Sequence, residues 1–555
     1  MRLASECQAV PEPQPARVPP SPADALAHVE RQLAADPGNA RLLINRGQCL
    51  VALGRLADAR LAAATAQGRA AGNALLLDAI GTLYRHANDQ QRALAAYSQA
   101  VELAPDNAHF LFNRATVRRF LGQLPEAEAD YDRVIALNPA DFEAYRNRSE
   151  LRTQSANSNH VAELERAVAA LERDVATSQA HWQGQVQLRY ALAKEFEDLG
   201  DYGKSFQHLQ QGARVRRAHL RYDVANDLAT VDWIIEAFPA TASTSATAST
   251  SAAVSTPAAA SGATPDPTAG AATATGTVAS DAPIFIVGLP RSGSTLVDRI
   301  LGSHSRIRCA GELKHFALAV VDAVRQLDAV RQQNGGATLS RRELVARSAS
   351  LDFGALGRDY LDRARGEVAT GEVATGEVAA GEVAAGEVAA GVRFTDKMPL
   401  NYLYCGLIAR ALPNARIVHV SRHPMAACYA IYKTLFQDGY PFSYDLGELA
   451  QYYVGYRRLM AHWSAMMPQT IYHLSYEDLV ADVPGQTRRL LQFCALEWQD
   501  ACAQFHLNPT AVTTASAAQV RRPIYDSSLQ QWRHYQPQLA TLASQLRAAG
   551  IAIED

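Results

Sequence analysis

The sequence predicts an α + α/β chain: an all-helical repeat array, then a parallel α/β domain. Three observations carry this. Asn-Ala pairs recur at a spacing of 34 residues near the start. A short apolar run, Ile284-Phe285-Ile286-Val287, leads into a Gly-rich turn and a helical segment from Leu296 to Leu301. Between the two parts lies a tract made almost wholly of Ala, Ser, Thr, Gly and Pro. At 555 residues and 48% hydrophobic content the chain can fill two to four domain cores, at roughly 100–200 residues each.

Residues 1–23 contain no apolar run and read as a disordered lead. The repeats follow. Asn39-Ala40, Asn73-Ala74 and Asn107-Ala108 keep the 34-residue interval, and Asp141 falls at the next one. The middle repeat carries Gly81, Tyr84, Ala93, Tyr97, Ala100 and Pro105; the third keeps Ala115, Ala127, Tyr131 and Pro139; the first keeps Gly47 and Ala59. Small residues let paired helices approach, and aromatics fill the grooves beside them. These offsets match the tetratricopeptide pattern. Residues 24–236 resemble a tetratricopeptide-repeat solenoid of five or six hairpins. One of these is a helix pair from Tyr190 to Arg217, joined at Leu199-Gly200-Asp201-Tyr202. Such an array offers a concave face to a peptide or protein partner.

Residues 237–282 cannot bury enough apolar surface to order themselves and read as a linker. The second domain spans 283–555. It contains a low-complexity insert at 366–391, where GEVAT or GEVAA occurs five times, read as an expanded loop. Arg416-Ile417-Val418-His419-Val420 and Ile471-Tyr472-His473-Leu474 are further short strands, and a helix starts at Met425. Buried strands alternating with helices imply a parallel sheet.

Composition excludes several classes. A net charge of -3 gives no support for bulk nucleic-acid binding. Seven cysteines without a CxxC pair suggest a reducing compartment, not a disulfide framework or zinc site. No apolar stretch is long enough to span a bilayer. The expected location is the cytoplasm, with no metal.

Four clusters carry chemistry. Gly288-Leu289-Pro290-Arg291-Ser292-Gly293-Ser294-Thr295 follows a strand and opens a helix, the arrangement whose backbone amides and dipole cradle a phosphate. It keeps both glycines and the final hydroxyl of a Walker A loop, but Ser294 stands where the lysine belongs. Hydrolysis of a Mg-bound triphosphate is thereby disfavoured, while Arg291 brings positive charge into the loop. Ser421-Arg422-His423-Pro424 follows the strand ending at Val420, so Arg422 stands at a carboxyl strand end, where α/β ligands bind. Thr395-Asp396-Lys397-Met398-Pro399 offers a lysine that matters if its strand adjoins the phosphate loop. Cys309-Ala310-Gly311-Glu312 offers a carboxylate that could take a proton from a hydroxyl, or else form an ordinary salt bridge. Among other residues, His304 reads as structural, His315 as a reserve acceptor-side group, and Trp532 as the core anchor of a C-terminal helix.

Together GLPRSGSTLVDRILGSH, RCAGE, TDKMP and SRHP resemble the phosphosulfate-donor sulfotransferases, most closely the tyrosylprotein type, over about residues 283–540. With N-terminal tetratricopeptide repeats the chain is similar to a bacterial branch of them. The resemblance implies 3′-phosphoadenosine 5′-phosphosulfate (PAPS) as sulfuryl donor and no metal. It puts the 5′-phosphosulfate on Arg291, Ser292, Gly293, Ser294 and Thr295, and the 3′-phosphate on Arg422. It implies Glu312 as general base for a hydroxyl acceptor such as protein tyrosine, with Arg291 and Lys397 as the cations on the transferring group. Tyr476 matches a nucleotide-contacting tyrosine. Ser516 to Pro523 resembles a late loop over the 3′-phosphate, with Arg522 in place of a lysine. One departure stands out: the family's serine eight residues after the SRHP arginine is Ala430 here. A hydrogen bond to a charged group is worth about 1.5–3 kcal/mol. The alternative is a tetratricopeptide scaffold with a catalytically degenerate nucleotide-binding domain.

Overall fold

The computed structural model describes residues 21–70, 72–173, 179–239, 278, 280, 282–333, 339–368, 392–436, 439–508, 510, 520, 524 and 527–553. Residues 1–20 of the lead, and most of the linker and of the low-complexity insert, lie outside these. So do Ser516 and Arg522. The chain forms two compact units, residues 1–103 and 104–555.

The first unit contains the helices Pro22–Ala35, Ala40–Ala52, Leu56–Gln67, Ala74–His86 and Gln90–Leu103. The recurring asparagines are their N-caps. Asn39 Oδ1 accepts from the amides of Arg41 and Leu42 at 3.1 and 3.2 Å, and Asn73 Oδ1 from that of Leu76 at 3.1 Å. Each satisfies amides left without intrahelical partners and is worth about 1 kcal/mol over alanine. The small residues mark close crossings: a Cβ at Gly47 would meet Leu83 Cδ2 at 2.3 Å, and one at Gly81 the Tyr97 ring at 2.8 Å.

The second unit opens on the same device. Asn107 caps Ala108–Leu121 through the amides of His109 and Phe110, and Asp141 caps Phe142–Ser149 through that of Ala144. Helices Leu124–Leu137, Val161–Arg173, Gln179–Asp198, Tyr202–Ala218 and Val224–Ala237 complete the helical part. The last three share one core with the α/β part, in which Val186, Tyr190, Leu209 and Val231 are buried with Trp463 and Tyr535. Phe206 lies 6.0 Å from Tyr535 and Phe238 lies 5.7 Å from Trp463, centroid to centroid. Arg217 grips Glu448 through two bonds of 2.7 and 2.6 Å.

Among the described residues five parallel strands form the sheet: β1 (Pro283–Gly288), β2 (Ile307–Cys309), β3 (Arg393–Asp396), β4 (Arg416–Ser421) and β5 (Ile471–Ser475), in the order β2-β3-β1-β4-β5. The three strands read from sequence are β1, β4 and β5. All six residues of β1 are buried, as expected of a strand covered on both faces. The chain leaves β1 with β3 on one side and β4 on the other, so the carboxyl ends converge on one crevice. Gly288 pairs with Val420, Phe285 with Asp396 and Cys309 with Thr395. The segments after these strands are those carrying Arg291, Arg422, Lys397 and Glu312.

Candidate active site

The Gly-rich loop takes backbone conformations that its sequence permits. Gly288 has φ +150° and Gly293 φ +104°. A Cβ on Gly288 would lie 2.4 Å from Val420 O of β4, and one on Gly293 2.4 Å from Tyr476 Cδ2. Only glycine allows both close approaches at such φ values. Gly293 caps the helix Ser294–Leu301, accepting the amides of Leu296 and Val297 at 2.9 and 3.1 Å. Arg291 also has positive φ, +65°, a sparsely populated conformation that clusters at ligand-binding turns.

Beside this loop Arg422 is held on three sides. Its Nη1 donates to Arg291 O at 3.2 Å, its Nη2 to Ser528 O at 2.6 Å, and its guanidinium lies 4.8 Å from the Tyr476 ring. The Tyr476 hydroxyl is 3.3 Å from Ser528 Oγ. Arg291, Gly293, Ser294, Thr295, Arg422 and Tyr476 all line one open cleft. Ser292 is 2% exposed, and its hydroxyl has no hydrogen-bond partner among the described residues. A buried hydroxyl in a phosphate-type loop is a donor waiting for an acceptor.

Sequence reasoning missed parts of this cleft. Trp532 is buried in the core on the short 3-10 helix Gln531–Tyr535, and it also lines the cleft and stacks on His423 at 5.1 Å. Lys433 lines the cleft, as does Ala430 one turn before it. Its signal in the sequence was the spacing of three from Ala430, which puts both on one helical face.

Glu312 and Lys397 do not line that cleft. They meet each other: Lys397 Nζ donates to Glu312 Oε1. β3 neighbours β1 directly, which meets the condition under which Lys397 matters. The pair is built by backbone bonds that prolong the β2–β3 ladder, Ala310 N to Thr395 O at 3.1 Å and Lys397 N to Gly311 O at 2.8 Å. Gly311, at φ +78°, turns the chain between them. Lys397 is 2% exposed and Glu312 45%, so the cation is fixed and the carboxylate faces out. Asp298, on the helix that opens at Ser294, accepts Thr395 Oγ1 and feels the charge of Lys397. Burial raises its carboxyl, and Lys397 offsets part of that rise. The lysine is thereby tied to the loop helix. His304 is structural: its Nε2 lies 3.1 Å from Glu497 O and its Nδ1 accepts the Arg306 amide at 3.0 Å. His315 is buried at the start of the helix His315–Gln333.

Asp396, next to Lys397, is fully buried, and burial pushes its carboxyl up to about 8; the Tyr360 hydroxyl, donating at 3.0 Å, offsets only part. The folded chain therefore binds this proton more tightly than the unfolded chain, whose aspartate titrates near ~4. The stability it contributes is full below ~pH 4 and is lost as pH rises towards 8. Asp396→Asn is expected to flatten that fall. Thermal melts of both proteins at intervals from about pH 5 to 9 measure it, and parallel curves would contradict the assignment.

Residues 283–500 match the Sulfotransferase family, and residues 21–74 and 79–142 match a tetratricopeptide repeat family. An uncharacterized protein of Aquifex aeolicus (strain VF5) is 27% identical over 466 residues, 82% of this chain and 52% of that protein. The chain thus spans about half the length of that curated relative. Among solved structures, the sulfotransferase domain from the curacin biosynthetic pathway is 16% identical, with TM-score 0.30, covering 48% of this chain and 96% of that one. YrrB, a TPR protein with an unusual peptide-binding site, is also 16% identical, with TM-score 0.26, covering 35% of this chain and 95% of that one.

Proposed function

We propose that this chain, a tetratricopeptide-repeat protein whose second part is a sulfotransferase-family domain, moves a sulfuryl group from PAPS to a hydroxyl acceptor. One observation carries the reading: Arg291, Gly293, Ser294 and Thr295 of the Gly-rich turn line the same cleft as Arg422, Tyr476 and Lys433. That set suits an adenine nucleotide with anionic groups at both ends and no metal to neutralise them.

In this reading the first turn of the helix at Ser294, with Arg291 and Ser292, takes the 5′-phosphosulfate. Arg422 and Lys433 take the 3′-phosphate, Lys433 making up for the hydroxyl absent at Ala430. Tyr476, stacked under Arg422, orients the nucleotide. Ser516 and Arg522 remain proposed contacts from outside the described residues. Glu312 takes the acceptor's proton as its oxygen bonds to sulfur. The bond from sulfur to the bridging phosphate oxygen breaks, and Arg291 and Lys397 stabilise the charge that appears there. Adenosine 3′,5′-bisphosphate and the sulfate ester leave. Tyrosine in a peptide held by the repeat array is the acceptor we put first, and the cytoplasm is the proposed compartment.

The test is transfer of labelled sulfate from PAPS to tyrosine peptides and to sugar and lipid alcohols, with a metal chelator present. Labelled ester without metal is the expected result. Donor binding without transfer to any acceptor would favour the scaffold.

A further inference from the structure

A helix of the helical part reaches a cation in the cleft. Helix Pro424–Tyr432 and the residue after it present Ala426, Tyr429, Ala430 and Lys433 to the cleft, at the spacing of a single helical face. Side chains on a helix lean towards its N-terminus, so Lys433 leans back over the turn that carries Ala430. Its ammonium lies 5.2 Å from the Tyr429 ring and donates to Glu197 Oε1 at 2.7 Å.

Glu197 does not line the cleft. It comes from the helix Gln179–Asp198, and its second oxygen accepts the hydroxyls of Tyr429 and of Tyr535, the latter at 3.0 Å. Burial pushes this carboxyl up, but Lys433 and the two tyrosines more than reverse it, so it is held below its ordinary value and stays ionised. The lysine therefore stands between two anions: a fixed carboxylate behind it and, on the donor reading above, a phosphate in front.

We infer that Glu197 competes with the nucleotide's 3′-phosphate for Lys433 and so sets how readily the spent nucleotide leaves. The inference rests on the donor reading. The 3′-phosphate is common to donor and product, so a subsite that grips it strengthens both alike and slows release. An ammonium has three donors but one charge, and a carboxylate already in contact draws part of its attraction away from an incoming phosphate. Glu197 also gives Lys433 a partner in the empty cleft, which spares the cost of a half-buried cation left alone. The helical part thus contributes a residue that adjusts the donor site, although its helices lie outside the sheet.

The test uses the full chain titrated with adenosine 3′,5′-bisphosphate and with adenosine 5′-monophosphate, together with stopped-flow release. Glu197→Gln keeps an acceptor for Lys433 and for the tyrosine hydroxyls but loses the charge. It is expected to bind the bisphosphate about tenfold more tightly, with slower release and unchanged monophosphate affinity. In a Lys433→Met background the same change is expected to do nothing. Glu197→Asp, which withdraws the carboxylate, serves as a second variant and should shift bisphosphate binding in the same direction. Bisphosphate affinity that is unchanged or weaker in Glu197→Gln would overturn the inference. So would a gain shared by the monophosphate, or one that survives in Lys433→Met. A parent chain that binds neither nucleotide would sink the donor reading, and this inference with it; a parent that binds while Glu197→Gln changes nothing sinks this inference alone.

Discussion

Glu312→Gln is expected to lower kcat by about 10²–10⁴-fold, the range of a positioned general base, while leaving bisphosphate affinity unchanged. The two halves come from different observations. Glu312 is the exposed member of its pair with Lys397, so an acceptor can reach it. It is absent from the residues lining the nucleotide cleft, so its loss should not disturb binding there. Glutamine still accepts from Lys397, which keeps the local fold. Initial rates at saturating donor, set against an equilibrium titration, separate the effects. A loss confined to affinity would mean that the Glu312–Lys397 bridge is structural.

Lys397→Met is expected to cost both activity and stability. Removing a cation from the transferring group should reduce kcat by about 10²–10³-fold. Stability should fall because a lysine 2% exposed has its charge matched by Glu312 and helps offset the buried Asp298 carboxyl. Breaking a fully buried pair costs about 3–5 kcal/mol. Glu312 is nearly half exposed, so the lower part of that range, discounted for solvent, is the fair expectation. Lys397→Arg should not restore the rate: the planar guanidinium does not fit a slot shaped for a point charge. A thermal melt with a single-turnover rate checks each half. Wild-type turnover in Lys397→Met would remove the residue from the chemistry.

Much of this was legible in the sequence because its signals are local. The 34-residue spacing is a spacing of helix N-caps, and a cap acts on the next three residues. β1 and β4 show as apolar runs because their central residues are buried, and β5 keeps buried Ile471 and Leu474 on either side of an exposed His473. β2 has three residues, and β3 is Arg-Phe-Thr-Asp; neither is long or apolar enough to show periodicity. Their strand character comes from pairing with β1 and with each other. The contacts that fuse the last helices of the helical part to the α/β part, Arg217 to Glu448 and Glu197 to Lys433, span more than two hundred residues, and no spacing rule reaches so far. Lys433 was hidden for a related reason: its meaning depends on the methyl of Ala430 beside it and on a carboxylate from another part of the chain.

On the proposed function, the cleft between the Gly-rich turn and Arg422 takes a nucleotide with phosphates at both ends and needs no metal. Equilibrium binding of adenosine 3′,5′-bisphosphate in the presence of a chelator, beside ATP with Mg²⁺, tests it most directly. Saturable bisphosphate binding that is lost in Arg422→Ala and needs no metal is the expected result. Tight Mg-dependent binding of ATP, with none of the bisphosphate, would contradict it.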